Sequence, residues 1–153
     1  MDAVHTLAWR YVAWQVMPEE LPMAAAELLA AGYDSPALCD LAGRARREET
    51  GVLQALLEAA VGELGVGLPT VGRAERYLLR DLALRLLSGA ATALEVAAAV
   101  SGVEGEDADD LELRFLRVAG GECCTRCLTD VQLYNPEAYA AWETDLRTAA
   151  AEL

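Results

Sequence analysis

The chain has 153 residues, a formal net charge of −13 and 54% hydrophobic residues. A chain of this length can bury about 70% of the surface that its unfolded form exposes, so one domain with a proper core and no disulfide scaffold is expected. The excess of acidic over basic residues argues against nucleic-acid binding, because such binding depends on a basic surface. It favours a basic protein as partner.

Residue usage predicts an all-α fold. Alanine and leucine supply much of the hydrophobic fraction, isoleucine and lysine are absent, and Phe115 is the only phenylalanine. Alanine and leucine are good helix formers, whereas β-branched and aromatic residues favour strands. Start and stop signals along the chain predict a bundle of about eight or nine helices in one domain, residues 1–153.

The N-terminal residues, MDAVHTLAWRY, predict a cytoplasmic protein because they contain no positively charged leader region and no cleavage-like run. No stretch of the chain reaches the ~18 uninterrupted apolar residues of a membrane span, so no membrane contact is expected. In a chain without a secretion signal, the four cysteines are expected to be reduced thiols rather than disulfides.

The first half of the chain predicts four helices whose ends are marked by proline, glycine or a capping residue. Apolar residues recur in them at three- and four-residue spacings. Pro18 ends the first helix, and Ser35 caps the third. The predicted helices are Val4 to Met17, Pro22 to Ala31, Ala37 to Ala42 and Arg46 to Leu64.

The longest periodic stretch, Thr70 to Ser101, predicts a helical hairpin around which the other helices are organised. Its break lies at Gly89, a residue suited to the left-handed conformation after a helix end. Thr92 and Glu95 form a capping box that begins the second helix. This hairpin is expected to be a scaffold.

Three arginines, Arg73, Arg76 and Arg80, share one stripe of the first hairpin helix. They form the densest positive face in an otherwise acidic chain. We expect this stripe to meet carboxylates of neighbouring helices. The alternative is that it binds an anionic ligand.

An acidic segment, Val103 to Glu112, contains six carboxylates and no basic residue. It lacks the residue order of an EF-hand calcium loop. Two interpretations stay open: a docking edge for a basic protein, or a solvated loop entering a helix N-terminus, where carboxylates are favourable. For the first, the protein-binding residues are Glu104, Glu106, Asp107, Asp109, Asp110 and Glu112.

The two segments that follow are expected to be helical. Leu111 to Val118 fits both a strand and a helix by its apolar spacing, but Asp110 and Arg114 at i,i+4 favour a helix. The last helix begins at Asn135-Pro136, a cap followed by proline at the first helical position. Its apolar stripe continues to Leu153.

Between these helices lies the one motif that suggests side-chain chemistry, Cys124-x-x-Cys127. The pair can be small buried hydrophobes, a thiol-regulated redox pair, or part of a zinc site. A zinc site needs more ligands, for which Cys39, Cys123 and His5 are the candidates. No cofactor is expected, and zinc enters only as this alternative.

Catalysis is not expected, because the residue types of several common active sites are scarce. His5 is the only histidine, which makes a catalytic triad or a multi-histidine metal site improbable. The absence of lysine excludes a Schiff base and a Walker lysine. We assign no catalytic residue, and a binding protein is the preferred class.

Two stretches, ELLAAGYDSPALCDLAG at 27–43 and LLSGAATALEVA at 86–97, resemble a group of small, all-helical and largely uncharacterised actinobacterial proteins. Some of those proteins are suspected to be immunity proteins for toxins. The resemblance implies an all-α fold and an immunity or antitoxin-type role toward a basic toxin. It assigns no functional residue in this chain.

Overall fold

The computed structural model describes residues 2–121 and 125–153. Within them the chain forms nine α-helices, one short 3-10 helix at Pro18–Glu20 and no strand, which confirms the predicted all-α fold. None of the helices in these ranges is long and apolar enough to cross a membrane. The helices are α1 Ala3–Val12, α2 Leu21–Ala30, α3 Pro36–Ala42, α4 Thr50–Glu63, α5 Val71–Ser88, α6 Ala93–Ala99, α7 Asp110–Gly120, α8 Thr125–Tyr134 and α9 Pro136–Ala151.

Backbone contacts divide the chain into two compact units, Met1–Ala74 and Glu75–Leu153. The boundary falls within α5, between its fourth residue, Ala74, and Glu75. The single domain that chain length predicts stays a prediction.

The first unit packs α2, α3 and α4 around a leucine-rich core. Ser35 caps α3 as predicted, because its hydroxyl accepts the backbone N–H of Leu38 at 3.1 Å. Glu63 near the end of α4 accepts the N–H of Ala37 at 3.0 Å, which joins the end of α4 to the start of α3. The fully buried leucines of this core are Leu21, Leu38, Leu41, Leu53 and Leu57.

The end of α1 differs from the prediction, which extended the helix to Met17. The helix ends at Val12, and Trp14 adopts a left-handed conformation with φ +57°. The N–H of Gln15 donates to the carbonyl of Arg10 at 2.7 Å, the bond of a Schellman motif. A left-handed residue is usually glycine, so the sequence carries no visible signal for this early end.

The start of α4 also differs, since the helix begins at Thr50 rather than Arg46. Residues 46–50, RREET, offer no apolar side chain for the core, so packing cannot stabilise an additional turn there. Arg44, before this segment, instead pairs with Asp40 at 3.0 Å and with Glu48 at 3.7 Å.

The second unit contains most of α5 together with α6 to α9. Gly89 has φ +77° and ends α5 as predicted. Thr92 accepts the N–H of Glu95 at 3.2 Å and donates its own N–H to the Glu95 carboxylate at 2.7 Å, which confirms the capping box. The segment Leu111 to Val118 is helical, within α7.

Two side-chain bonds hold α9 within this unit. The indole N–H of Trp142 donates to the carbonyl of Val118 on α7 at 2.8 Å. Arg147 donates to the carbonyl of Leu86, in the last turn of α5, at 2.9 Å. Asn135 caps α9 as predicted, by accepting the N–H of Ala138 at 3.2 Å.

Candidate functional site

Two arginines of α5 enclose one glutamate of α7. The Arg76 Nε donates to Glu112 Oε2 at 2.7 Å, and the Arg80 Nε donates to Glu112 Oε1 at 2.7 Å. The Glu112 side chain is 0% exposed, so each of its oxygens is satisfied by the protein and not by water. Two stripe arginines thus meet a carboxylate of a neighbouring helix, as expected.

Asp109 completes this group, which we call the arginine–carboxylate cluster (Arg76, Arg80, Asp109 and Glu112). Asp109 Oδ2 lies 3.2 Å from Arg76 Nη2 and 3.5 Å from Arg80 Nη2. Its Oδ1 accepts the N–H groups of Leu111 and Glu112, while its own N–H donates to Glu112 Oε2 at 2.9 Å. The cluster is therefore also the capping box that begins α7.

The cluster shifts the pKa of its members. Burial by itself would raise the pKa of Glu112, but hydrogen bonds from Arg80, the Asp109 backbone and Arg76 outweigh it and lower that pKa. The pKa of Asp109 is lowered chiefly by the N–H of Glu112, and that of Arg76 is raised chiefly by Glu112. An anionic ligand at Arg76 or Arg80 would compete with these carboxylates for the two guanidinium charges.

The loop before α7 is held by a second buried carboxylate, Glu75, which is 7% exposed. Its Oε1 accepts the N–H of Glu104 at 3.2 Å, and its Oε2 accepts the N–H of Gly105 at 2.9 Å. Gly105 has φ +69°, and a Cβ at this position would lie 2.9 Å from the Leu116 Cδ2. The segment 104–109 therefore runs close against α7 and is held at both of its ends, by Glu75 and by the capping box.

The six residues predicted to bind a protein partner separate into two groups. Glu112 is wholly buried and Asp109 belongs to the arginine–carboxylate cluster, so neither offers an unengaged carboxylate. The other four are exposed and form no ion pair with any described residue. We call them the acidic edge: Glu104, Glu106, Asp107 and Asp110.

No structural role is predicted from the sequence for three residues of this site, Asp109, Glu112 and Glu75. Asp109 and Glu112 stand three apart before an apolar run, which is the spacing of a capping box and could have revealed the role of Glu112. Glu75 has no such signal, because the groups that it binds lie about thirty residues away in the chain.

The remaining arginine of the predicted stripe, Arg73, belongs to the first unit. Its backbone N–H donates to the Thr70 hydroxyl at 3.3 Å, in the first turn of α5. Anion binding by Arg73, Arg76 and Arg80 stays a prediction.

The predicted cysteine site lies partly outside the described residues, because Cys123 and Cys124 fall in 122–124. Cys127 is half-buried on α8. Cys39 is exposed on α3, and desolvation and the nearby Asp34 raise the pKa of its thiol, which disfavours a reactive thiolate. His5 lies in the first turn of α1, where its backbone N–H donates to Asp2. The described ranges contain no group of three potential ligands placed to hold a metal ion.

Comparisons with known proteins give no relative from which a function could be transferred. No protein-family model matches the chain, and neither does any curated protein or solved structure. The resemblance to actinobacterial immunity-type proteins, the zinc or thiol alternative at Cys124 and Cys127, and the absence of catalysis therefore stay predictions.

Proposed function

We propose that this protein is an acidic binding module that holds a basic protein partner against its acidic edge. The observation that carries the proposal is the anchoring of the edge's backbone. Glu75 holds the N–H groups of Glu104 and Gly105, and the arginine–carboxylate cluster fixes the start of α7. The carboxylates between these anchors therefore sit on a backbone that is ordered before any partner arrives.

This order matters because a loop that becomes ordered only on binding loses conformational entropy, which weakens the association. A loop that is already fixed avoids most of this cost, so its charges can contribute to affinity. The four carboxylates of the acidic edge lie within seven positions of the chain, from Glu104 to Asp110, and form no ion pair in the part of the chain that is described. They present a concentrated negative field to a partner rich in arginine or lysine.

Charge complementarity of this kind mainly increases the rate of encounter and the discrimination between partners. The net charge of −13 acts in the same direction. An immunity or antitoxin-type role, in which the partner is a basic toxin in the cytoplasm, is the narrower form of this proposal. The resemblance noted for residues 27–43 and 86–97 is what suggests that narrower form.

The acidic edge can be tested with a fluorescent nona-arginine peptide as the basic probe. We expect the double variant Asp107→Asn, Asp110→Asn to bind the peptide several-fold more weakly than the unmodified protein, and more so at low salt. The matched control is Asp130→Asn, Glu137→Gln, which removes the same charge from exposed positions of the same unit.

Fluorescence anisotropy at several salt concentrations separates the two possible results. A larger loss in the edge variant than in the control supports binding at this edge. Equal losses in the two variants would show that only net charge matters, and the proposed site would be wrong.

A further inference from the structure

A cavity of about 330 Å³ lies between α1 and α2 in the first unit. This volume is at the lower end of that of small-molecule sites in proteins. Small side chains from both helices, Ala3, Ala24 and Ala31, leave the space open, and Leu7 and Leu28 provide buried apolar surface. The interior thus favours a small ligand with an apolar part.

Two side chains of opposite charge, Arg10 on α1 and Glu27 on α2, also line the cavity. Neither forms an ion pair or a side-chain hydrogen bond within the described ranges, and they do not pair with each other. The third charged side chain, Glu20, already accepts the N–H of Met17 at 2.7 Å. Arg10 and Glu27 are therefore two opposite charges that share one cavity and are both available to a ligand.

We propose that this cavity binds a small zwitterion with an apolar body, such as a free amino acid with a large apolar side chain. The ligand's carboxylate pairs with Arg10, its ammonium group pairs with Glu27, and its apolar side chain packs against Leu7 and Leu28. A purely anionic ligand would meet the negative charges of Glu20 and Glu27. A purely cationic ligand would leave Arg10 without a partner, so only a ligand that carries both charges pairs with Arg10 and with Glu27.

The size of the cavity agrees with this class of ligand. About 330 Å³ falls within the range of volumes of sites that hold small molecules. A free amino acid is a ligand of that class, and the site is therefore assigned to a small molecule.

The test is a titration of the isotope-labelled full chain with L-phenylalanine, followed by NMR of the backbone amides. We expect shifts at Ala3, Ala24 and Ala31. N-acetyl-L-phenylalanine, which lacks the ammonium group, and L-phenylalaninamide, which lacks the carboxylate, should each bind about threefold to fivefold more weakly, because an exposed ion pair contributes little more.

Variants then assign each charge to its ligand group. Arg10→Gln should abolish the preference for phenylalanine over its amide, and Glu27→Gln should abolish the preference over the N-acetyl form. The matched controls Arg47→Gln and Glu58→Gln change exposed charges of the same unit away from the cavity and should leave both preferences intact.

No shifts at these alanines with up to about 10 mM phenylalanine, or equal affinity for the three ligands, would overturn the proposal. The acidic edge takes no part in this experiment, so either proposal can fail without the other.

Discussion

The carboxylate of Glu75 accepts the backbone N–H of Gly105 at 2.9 Å, across a separation of thirty residues in the chain. Its other oxygen accepts the N–H of Glu104. We expect Glu75→Gln to reduce the free energy of unfolding by about 2 kcal/mol, because the neutral amide has only one acceptor oxygen, so one backbone N–H loses its partner and the other keeps only an uncharged one. Urea denaturation measures this change.

The matched control for Glu75→Gln is Glu58→Gln, which alters an exposed glutamate and should change stability by no more than about 0.5 kcal/mol. Hydrogen exchange gives a second readout, since the Gly105 amide should exchange faster in the Glu75 variant. An unchanged exchange rate at Gly105 would contradict the anchoring of the loop.

Gly105→Ala should destabilise the protein more than Gly89→Ala. Both glycines have positive φ, +69° and +77°, so both substitutions carry the strain of a left-handed alanine, about 1 kcal/mol. Only the Cβ at Gly105 meets neighbours, the Leu116 Cδ2 at 2.9 Å and the Leu113 Cδ2 at 3.2 Å, whereas nothing lies within 4 Å at Gly89. Thermal unfolding of the two variants measures the difference in stability. Equal losses of stability would mean that Leu113 and Leu116 change rotamer without cost.

Lowering the pH should weaken the arginine–carboxylate cluster. The pKa values of Asp109 and Glu112 are lowered in the folded state. In the unfolded chain these carboxylates have ordinary pKa values of about 3.9 and 4.3, so near those pH values the unfolded chain binds more protons than the folded chain. The stabilisation by these two carboxylates is fully present above their unfolded-state pKa values. It is lost as the pH falls through their lower folded-state pKa values.

Urea unfolding measured from about pH 6 to about pH 3 gives the free energy of unfolding at each pH, and the loss appears as the slope of that free energy against pH. Glu112→Gln, which cannot titrate at that position, should give a shallower slope than the unmodified protein, and Asp109→Asn serves as a second variant. The exposed control Glu58→Gln should keep the original slope. Parallel curves for all four proteins would show that the cluster contributes no pH-dependent stability.

Trp14→Gly should be more stable than Trp14→Ala by about 1 kcal/mol. Both variants remove the same side chain, which is 70% exposed, but only glycine adopts φ +57° without a clash between Cβ and the backbone. Glycine also gains more freedom in the unfolded chain, which reduces the difference. Chemical denaturation of Trp14→Gly and Trp14→Ala measures their difference in stability. An alanine variant of equal or higher stability would show that the left-handed turn adjusts to the substitution.

Features of the fold that depend on neighbouring residues could be predicted from the sequence. Ser35, Thr92 and Asn135 each cap a helix by a bond to a residue three positions ahead, and such spacing can be recognised directly. The helical state of α7 also follows from local spacing. These signals were sufficient for α1 to α7 and α9 and for most of their ends, but they did not assign the cysteine segment that contains α8.

Features that depend on distant residues could not be predicted in the same way. Arg76 and Glu112 are 36 positions apart, and Glu75 and Gly105 are thirty apart, so no local spacing links them. Local spacing therefore does not distinguish the buried Glu112 from the exposed carboxylates of the acidic segment. The early end of α1 escaped prediction for another reason, because tryptophan is not a residue expected at positive φ.

Because two positive and two negative charges cancel in the arginine–carboxylate cluster, a partner more than about one Debye length away senses little of it. The electrostatic field at longer range in this part of the molecule comes instead from the exposed carboxylates of the acidic edge, none of which forms a close ion pair with a described residue. Added salt screens that exposed field strongly, but it weakens the bonds to the buried Glu112 much less. Ionic strength can therefore slow the approach of a basic partner while the loop that would receive it keeps its conformation.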